Sequence, residues 1–261
     1  MGSGLQEKKI ESAKLERTNL ESADDYFIYA LHGFLGQGSD WDLSLSEFNQ
    51  NSHFKVAAPN YFCDSDFSNL DLNNFYLNIN NHLIQKKKYK KIFIGYSLGG
   101  RIGLKILEKY QDLFDHYIFV STHPGLETNE DKQTRQIHDK LWSEKIKKLS
   151  WDQFINEWNN QSILDSKNKL VRLEEKYKKE LLSLAMIKYS LGTQDNFRDL
   201  IKTNQNKITW IVGDQDFKFL ELAELLKQKK ILLDYKRIFS GHRVLLDNPD
   251  SLKIILKSLS C

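Results

Sequence analysis

A chain of 261 residues with 40% hydrophobic and 12% aromatic side chains can bury one full core, which excludes a disordered polypeptide. Its formal charge of +3, from 38 basic and 35 acidic residues, gives no reason to invoke nucleic acid. No stretch is long and apolar enough to span a bilayer, and Cys63 and Cys261 stand in no metal-ligand spacing. The expectation is a soluble cytoplasmic protein with no disulfide framework, no metal and no membrane insertion.

Residues 1–24 are polar, lack the apolar stretch of a signal peptide and open on Met1-Gly2-Ser3-Gly4, which looks like a cloning remnant. This tail stands outside the functional argument. Residues 26–31 are an apolar, aromatic run that reads as a buried strand ending at His32-Gly33. A weaker strand over 54–58 is stopped by Pro59. Leu72, Phe75, Tyr76, Ile79 and Leu83 recur at three- and four-residue intervals, so 67–85 is predicted helical. The basic run 86–91, broken only by Tyr89, reads as a solvated helix end.

A strand over 92–96 and a helix over 101–110 follow, then strands over 116–120, 208–212 and 231–239. Helical patterns occupy 217–228 and 250–259. Strands alternating with helices predict an α/β fold with a mainly parallel sheet flanked by helices. Residues 125–206 carry helical spacing without a strand signal, most clearly at 130–148 and 170–191. They read as a helical cap inserted before the last two strands, over a core formed by 25–124 and 207–261.

The motif that carries chemistry is Gly95-Tyr96-Ser97-Leu98-Gly99-Gly100. It fits the G-x-S-x-G turn between a strand and a helix, and so predicts the α/β-hydrolase fold with Ser97 as the catalytic serine. Glycines are needed because the turn leaves no room for side chains. The serine sits at a helix N-terminus, where backbone N–H groups favour a developing anion.

A serine hydroxyl needs a base at neutral pH. In this fold the partners follow in the order serine, acid, histidine, and His242 is the only histidine after His138. Two aspartates compete for the acid in Gly213-Asp214-Gln215-Asp216; Asp216 is favoured because it lies deeper in the turn. The backbone N–H groups of Phe34 and Leu98 are the expected oxyanion hole, with His32 structural.

With these residues in view, the sequence resembles the 2-succinyl-6-hydroxy-2,4-cyclohexadiene-1-carboxylate synthases of menaquinone and phylloquinone biosynthesis. The resemblance rests on Leu31-His32-Gly33-Phe34-Leu35-Gly36 with Asp40-Trp41, the serine turn with Arg101, and His123-Pro124-Gly125-Leu126. It extends through Arg135, Trp142, Trp158, Ser190-Leu191 and Gln194 to Asp216-Phe217-Lys218-Phe219 and Gly241-His242. It implies a carbon–oxygen lyase that eliminates pyruvate from 2-succinyl-5-enolpyruvyl-6-hydroxy-3-cyclohexene-1-carboxylate, with the serine as base and no cofactor. The ligand would be a small tri-carboxylate, met by Tyr96, Arg101, Arg135 and Trp158.

The sequence departs from the family pattern after its second strand, where Ala57-Ala58-Pro59-Asn60-Tyr61-Phe62 replaces a glycine-containing segment. A further cap arginine has no clean counterpart; Arg172 and Lys176 are the candidates for the third carboxylate. The runner-up is a serine hydrolase of esters or carbon–carbon bonds with the same three residues. A non-catalytic receptor on this fold is the third reading, and a base set beside a serine argues against it.

Overall fold

A computed structural model describes residues 25–83, 89–164 and 168–259. Its centre is a sheet of strands β1 (Asp25–Leu31), β2 (Phe54–Ala57), β3 (Tyr89–Tyr96), β4 (His116–Val120), β5 (Ile208–Gly213) and β6 (Lys236–Ile238). The spatial order is β2-β1-β3-β4-β5-β6, and every neighbouring pair is parallel. Side chains alternate across the sheet. Phe27, Tyr29, Phe93, Phe119 and Trp210 face one core, while Ile28, Ala30, Ile94, Ile118 and Ile211 face the other. Strands buried on both faces are apolar throughout, which is why the central ones are legible as continuous runs.

On the first face lie α2 (Leu72–Leu83), α3 (Leu98–Lys109) and α8 (Phe217–Gln228). On the second lie α1 (Ser46–Gln50), α9 (Val244–Asp247) and α10 (Pro249–Leu259). Between β4 and β5 the described residues form α4 (Asn129–Lys148), α5 (Trp151–Asn159), α6 (Lys179–Lys188) and α7 (Arg198–Thr203). Helices α4 and α6 pack together, with Ser143 Oγ 2.7 Å from Ser183 Oγ at their contact. Among the described residues no helix is long and apolar enough to cross a membrane.

Four predicted elements differ in extent; the first, the helix expected over 67–85, runs Leu72–Leu83 in α2, with 84–85 outside the described residues. The strand expected over 231–239 shrinks to Lys236–Ile238, because Lys230 takes a left-handed φ of 55° and the chain leaves α8 through a turn that buries Ile231 and Leu232. The helix expected over 170–191 narrows to α6, preceded by a single turn at Glu174–Lys176. Tertiary bonds decide this. Arg172 Nε donates to Leu35 O at 2.8 Å and Lys178 N–H to Phe62 O at 3.2 Å, holding 172–178 against the core. In the basic run, Tyr89, Lys90 and Lys91 begin β3 instead of ending a helix. Residues 86–88 of that run, the 1–24 tail and Cys261 lie outside the described residues.

Candidate active site

Strand β3 ends against helix α3 at Ser97, whose backbone holds φ 51° and ψ −108°. A non-glycine residue in this region costs about 1–2 kcal/mol. The turn is held by Ser97 N–H donating to Val120 O at 2.9 Å and by Arg101 N–H donating to Ser97 O at 3.1 Å. The flanking glycines are steric requirements. A Cβ on Gly95 would lie 2.6 Å from Gly100 Cα, and one on Gly99 would lie 2.2 Å from Leu31 O.

Ser97 Oγ lies 3.1 Å from His242 Nε2, and His242 Nδ1 lies 2.6 Å from Asp216 Oδ2. Asp216 is the last residue before α8, and both it and His242 are buried. The backbone N–H of Asp214 donates to Ile238 O, which ties that residue to β6, and its Oδ1 is buried without a partner among the described residues. Of the two competing aspartates, the structure brings Asp216 to the histidine. Gly213 makes this approach possible, since a Cβ there would lie 2.3 Å from Gly241 O.

Phe34 and Leu98 both line the cleft at Ser97. Among the described residues neither backbone N–H donates a hydrogen bond. The Phe34 loop fits beneath Tyr96 because residue 33 is glycine; a Cβ there would lie 2.8 Å from the Tyr96 ring. Behind the loop, the ring of Tyr61 stacks on His32 at 4.0 Å and its hydroxyl donates to His32 O at 2.6 Å. The segment that departs from the family pattern therefore braces this loop with an aromatic residue.

The cleft has a volume of about 880 Å³, and its walls include Ser97, Arg101, His123, Arg135, Trp158 and His242. Arg101 Nη1 donates to Tyr189 O at 2.7 Å, and Arg135 Nε donates to Asp139 Oδ1 at 2.8 Å. Among the described residues the other nitrogens of both guanidiniums have no partner. Burial pushes the pKa of Arg101 down to about 10, with the Arg135 charge adding to the effect, so it remains a cation at neutral pH. Trp158 lies tilted against Phe34 with ring centroids 4.6 Å apart, and both also line a chamber of about 240 Å³ that reaches Ser97 and is walled by Leu35, Leu43, Leu164 and Leu245.

Two expected ligand contacts are placed differently. Tyr96 lines the side chamber, and its hydroxyl donates to His242 O at 3.0 Å, so its proton is committed to the histidine loop instead of a ligand. Arg172 is held by Asp40, with Nη2 2.7 Å from both carboxylate oxygens, and Lys176 is exposed on its turn, outside the cleft lining. Among the cleft-lining residues that sequence reasoning gave no role are His123, Asp139 and Lys218. The His123 and Lys218 segments stood among the family-like motifs, whereas Asp139 shows itself only as the fourth residue after Arg135 on α4.

Burial lowers the pKa of His32 and of His123 to about 3. In the unfolded chain both titrate near 6.5. Between those values the unfolded state binds the extra proton, so their contribution to stability is lost as pH falls through this window. We expect the free energy of unfolding to drop by about 1 kcal/mol per pH unit for each of the two between roughly pH 6 and 5. Urea titrations across that range read this directly, and a flat profile would count against neutral burial of both rings.

A parallel sheet, a serine on a strained strand-to-helix turn and a histidine–aspartate pair define an α/β-hydrolase. The chain belongs to that family: the family model for the alpha/beta hydrolase fold matches residues 27–249. Within it, the chain is similar to 2-succinyl-6-hydroxy-2,4-cyclohexadiene-1-carboxylate synthases. It is 25% identical to the Klebsiella pneumoniae protein of that name over 84% of this chain and 87% of the relative. It is 24% identical to that of Citrobacter koseri over 87% and 92%. The structure of MenH from S. aureus matches with a TM-score of 0.78 at 19% identity, covering 92% of this chain and 94% of the other. An esterase from Thermogutta terrifontis matches with a TM-score of 0.59 at 16% identity, covering 91% and 90%.

Proposed function

We propose that this protein is a carbon–oxygen lyase of menaquinone or phylloquinone biosynthesis, releasing pyruvate from 2-succinyl-5-enolpyruvyl-6-hydroxy-3-cyclohexene-1-carboxylate in the cytoplasm. The observation that carries the reading is the pair of guanidiniums, Arg101 from α3 and Arg135 from α4, in the wall of the cleft that holds Ser97. Arginine meets carboxylates through paired N–H bonds, and a tri-carboxylate needs such partners near the reacting carbon. Helices α4 to α6, within the segment between β4 and β5, act as the cap of this cleft.

In this reading His242 Nε2 accepts the Ser97 proton and Ser97 Oγ removes a proton from the ring carbon next to the succinyl carbonyl. Negative charge collects on the carbonyl oxygen, where the N–H groups of Phe34 and Leu98 stabilise it. The electrons return through the ring double bond, the carbon–oxygen bond to the enolpyruvyl group breaks, and the proton held by the Ser97–His242 pair goes back to the leaving group, which departs as pyruvate. Asp216 holds the histidine in the tautomer that accepts at Nε2.

A second reading, an esterase with the same residues, is favoured by one feature: the leucine-lined chamber beside Ser97 suits a neutral acyl chain. The assay that separates the two supplies the enolpyruvyl substrate and p-nitrophenyl acetate side by side. Pyruvate release far above ester cleavage is expected, and ester cleavage alone would reverse the assignment. Arg101→Ala and Arg135→Ala should each lower kcat/KM for the tri-carboxylate by about ten- to a hundredfold, since a charge-assisted bond contributes about 1.5–3 kcal/mol. Lysine at either position should restore only part of this, lacking the planar fork. Equal losses on the neutral ester would show that the arginines do not read substrate charge.

A further inference from the structure

One family-like segment, His123-Pro124-Gly125-Leu126, has no part in the chemistry described so far, yet it carries a polar group into the cleft. His123 follows β4 by three residues, after a bend in which Ser121 takes a left-handed φ of 45°. The residue is 9% exposed and lines the cleft beside Arg101 and Phe219. Four bonds fix the segment. Gly125 N–H donates to His123 Nδ1 at 3.1 Å, Gln194 Nε2 donates to His123 O at 3.0 Å, Phe197 N–H donates to Pro124 O at 2.8 Å, and Arg198 Nη1 donates to Gly125 O at 2.8 Å. Gly125 holds φ 120°, and a Cβ there would lie 2.3 Å from Asp195 O, so the residue that supplies the first bond has to be glycine.

The first of these bonds decides where the ring proton sits. An Nδ1 that accepts from a backbone N–H carries no proton, so the neutral imidazole bears its hydrogen on Nε2. Burial, with the charges of Lys218, Arg101, Arg198 and Arg135 acting in the same direction, holds the pKa near 3 and keeps the ring uncharged in the working range. Among the described residues Nε2 has no hydrogen-bond partner, and it is not sealed from the cleft. His32 makes the contrast: its Nε2 also lacks a partner but is fully buried and lines no cleft. A donor nine-tenths buried, fixed in one tautomer and left unpaired at a cleft wall is complete only with a ligand acceptor, since an unmade bond there is costly.

We propose that His123 is a substrate-binding residue that donates its Nε2–H to a carboxylate oxygen of the ligand, an uncharged and directional contact alongside the Arg101 and Arg135 cations. The proposal rests on the tri-carboxylate reading above. It also supplies a partner for the carboxylate that Arg172, committed to Asp40, does not reach in this arrangement.

The test uses the full chain in two arms. In wild type labelled with ¹⁵N, His123 should show the Nε2–H tautomer without titration between pH 6 and 8, and tricarballylate should shift its Nε2 resonance. In kinetics, His123→Phe should raise KM for the enolpyruvyl tri-carboxylate about tenfold or more, and His123→Gln, whose amide nitrogen reaches near the same point, should stay within about threefold of wild type. An Nδ1–H tautomer, an Nε2 signal indifferent to tricarballylate, or a folded His123→Gln as impaired as His123→Phe would overturn the proposal. Should His123→Phe fail to fold, the labelled wild type still decides. A wild type that releases no pyruvate would overturn the lyase reading alone, leaving the tricarballylate arm to judge the subsite.

Discussion

Ser97→Ala is expected to lower pyruvate release by four orders of magnitude or more while leaving the fold intact. The reasoning is local. The Ser97 side chain makes one hydrogen bond, to His242 Nε2, whereas its backbone N–H and C=O are bound to Val120 and Arg101 whatever the side chain is. Alanine occupies the left-handed turn at the same steric cost as serine, because both carry a Cβ and nothing larger that matters there. Stability should therefore change by about 0.5 kcal/mol or less. What disappears is the one hydroxyl that, among the described residues, meets His242 Nε2, and removal of one member of such a set costs nearly as much as removal of all. Substrate should still bind, since Arg101 and Arg135 are untouched. Single-turnover pyruvate assays beside a thermal melt test both halves, and near-normal turnover in a folded Ser97→Ala protein would end the serine-centred account.

The parts of this site legible in the sequence are those fixed by backbone sterics and chain order. Gly95 and Gly99 announce the serine turn because no side chain fits there. His242 follows from being the one histidine late in the chain. Asp216 and Asp214 differ by two residues, and what separates them is pairing across the sheet: Asp214 continues the β5–β6 ladder through Ile238, and Asp216 escapes it to begin α8. The segment between β4 and β5 was less legible for a physical reason. Its helices are stabilised mainly by contacts distant in sequence, so local propensity misjudges their ends. Helix α5 falls inside the segment read as helical but is not delimited there, although Ser150 and Gln153 form a reciprocal cap at its start, a local signal the sequence does contain. The roles of Tyr96 and Tyr61 were invisible, because each depends on a hydroxyl meeting a carbonyl far away in the chain.

Asp216→Asn is the second large effect expected, about 10⁴ in turnover with the fold retained. The Asp216 carboxylate accepts from His242 Nδ1–H at 2.6 Å, which leaves Nε2 free to take the Ser97 proton across 3.1 Å. Asparagine is nearly isosteric, but its amide can donate. If the Nδ2–H₂ group turns to His242, the ring is held with its proton on Nε2, and that nitrogen can no longer act as a base. If instead the amide oxygen faces the histidine, the tautomer survives, but the charge that stabilises the imidazolium is lost. Either way the Ser97–His242 pair is disabled, and a loss of this size follows where an asparagine imposes the wrong tautomer in comparable sets. Asp214→Asn should stay within about threefold of wild type, because no side chain among the described residues relies on that carboxylate. Steady-state pyruvate assays on both variants decide between the two aspartates, and a larger loss at Asp214 would displace Asp216 from this role. The two large effects should also not add. Adding Asp216→Asn to Ser97→Ala should slow the reaction little further, since a histidine without a serine to deprotonate has no tautomer that matters; a double variant slower by another factor of about 10⁴ would mean that Asp216 acts independently of Ser97.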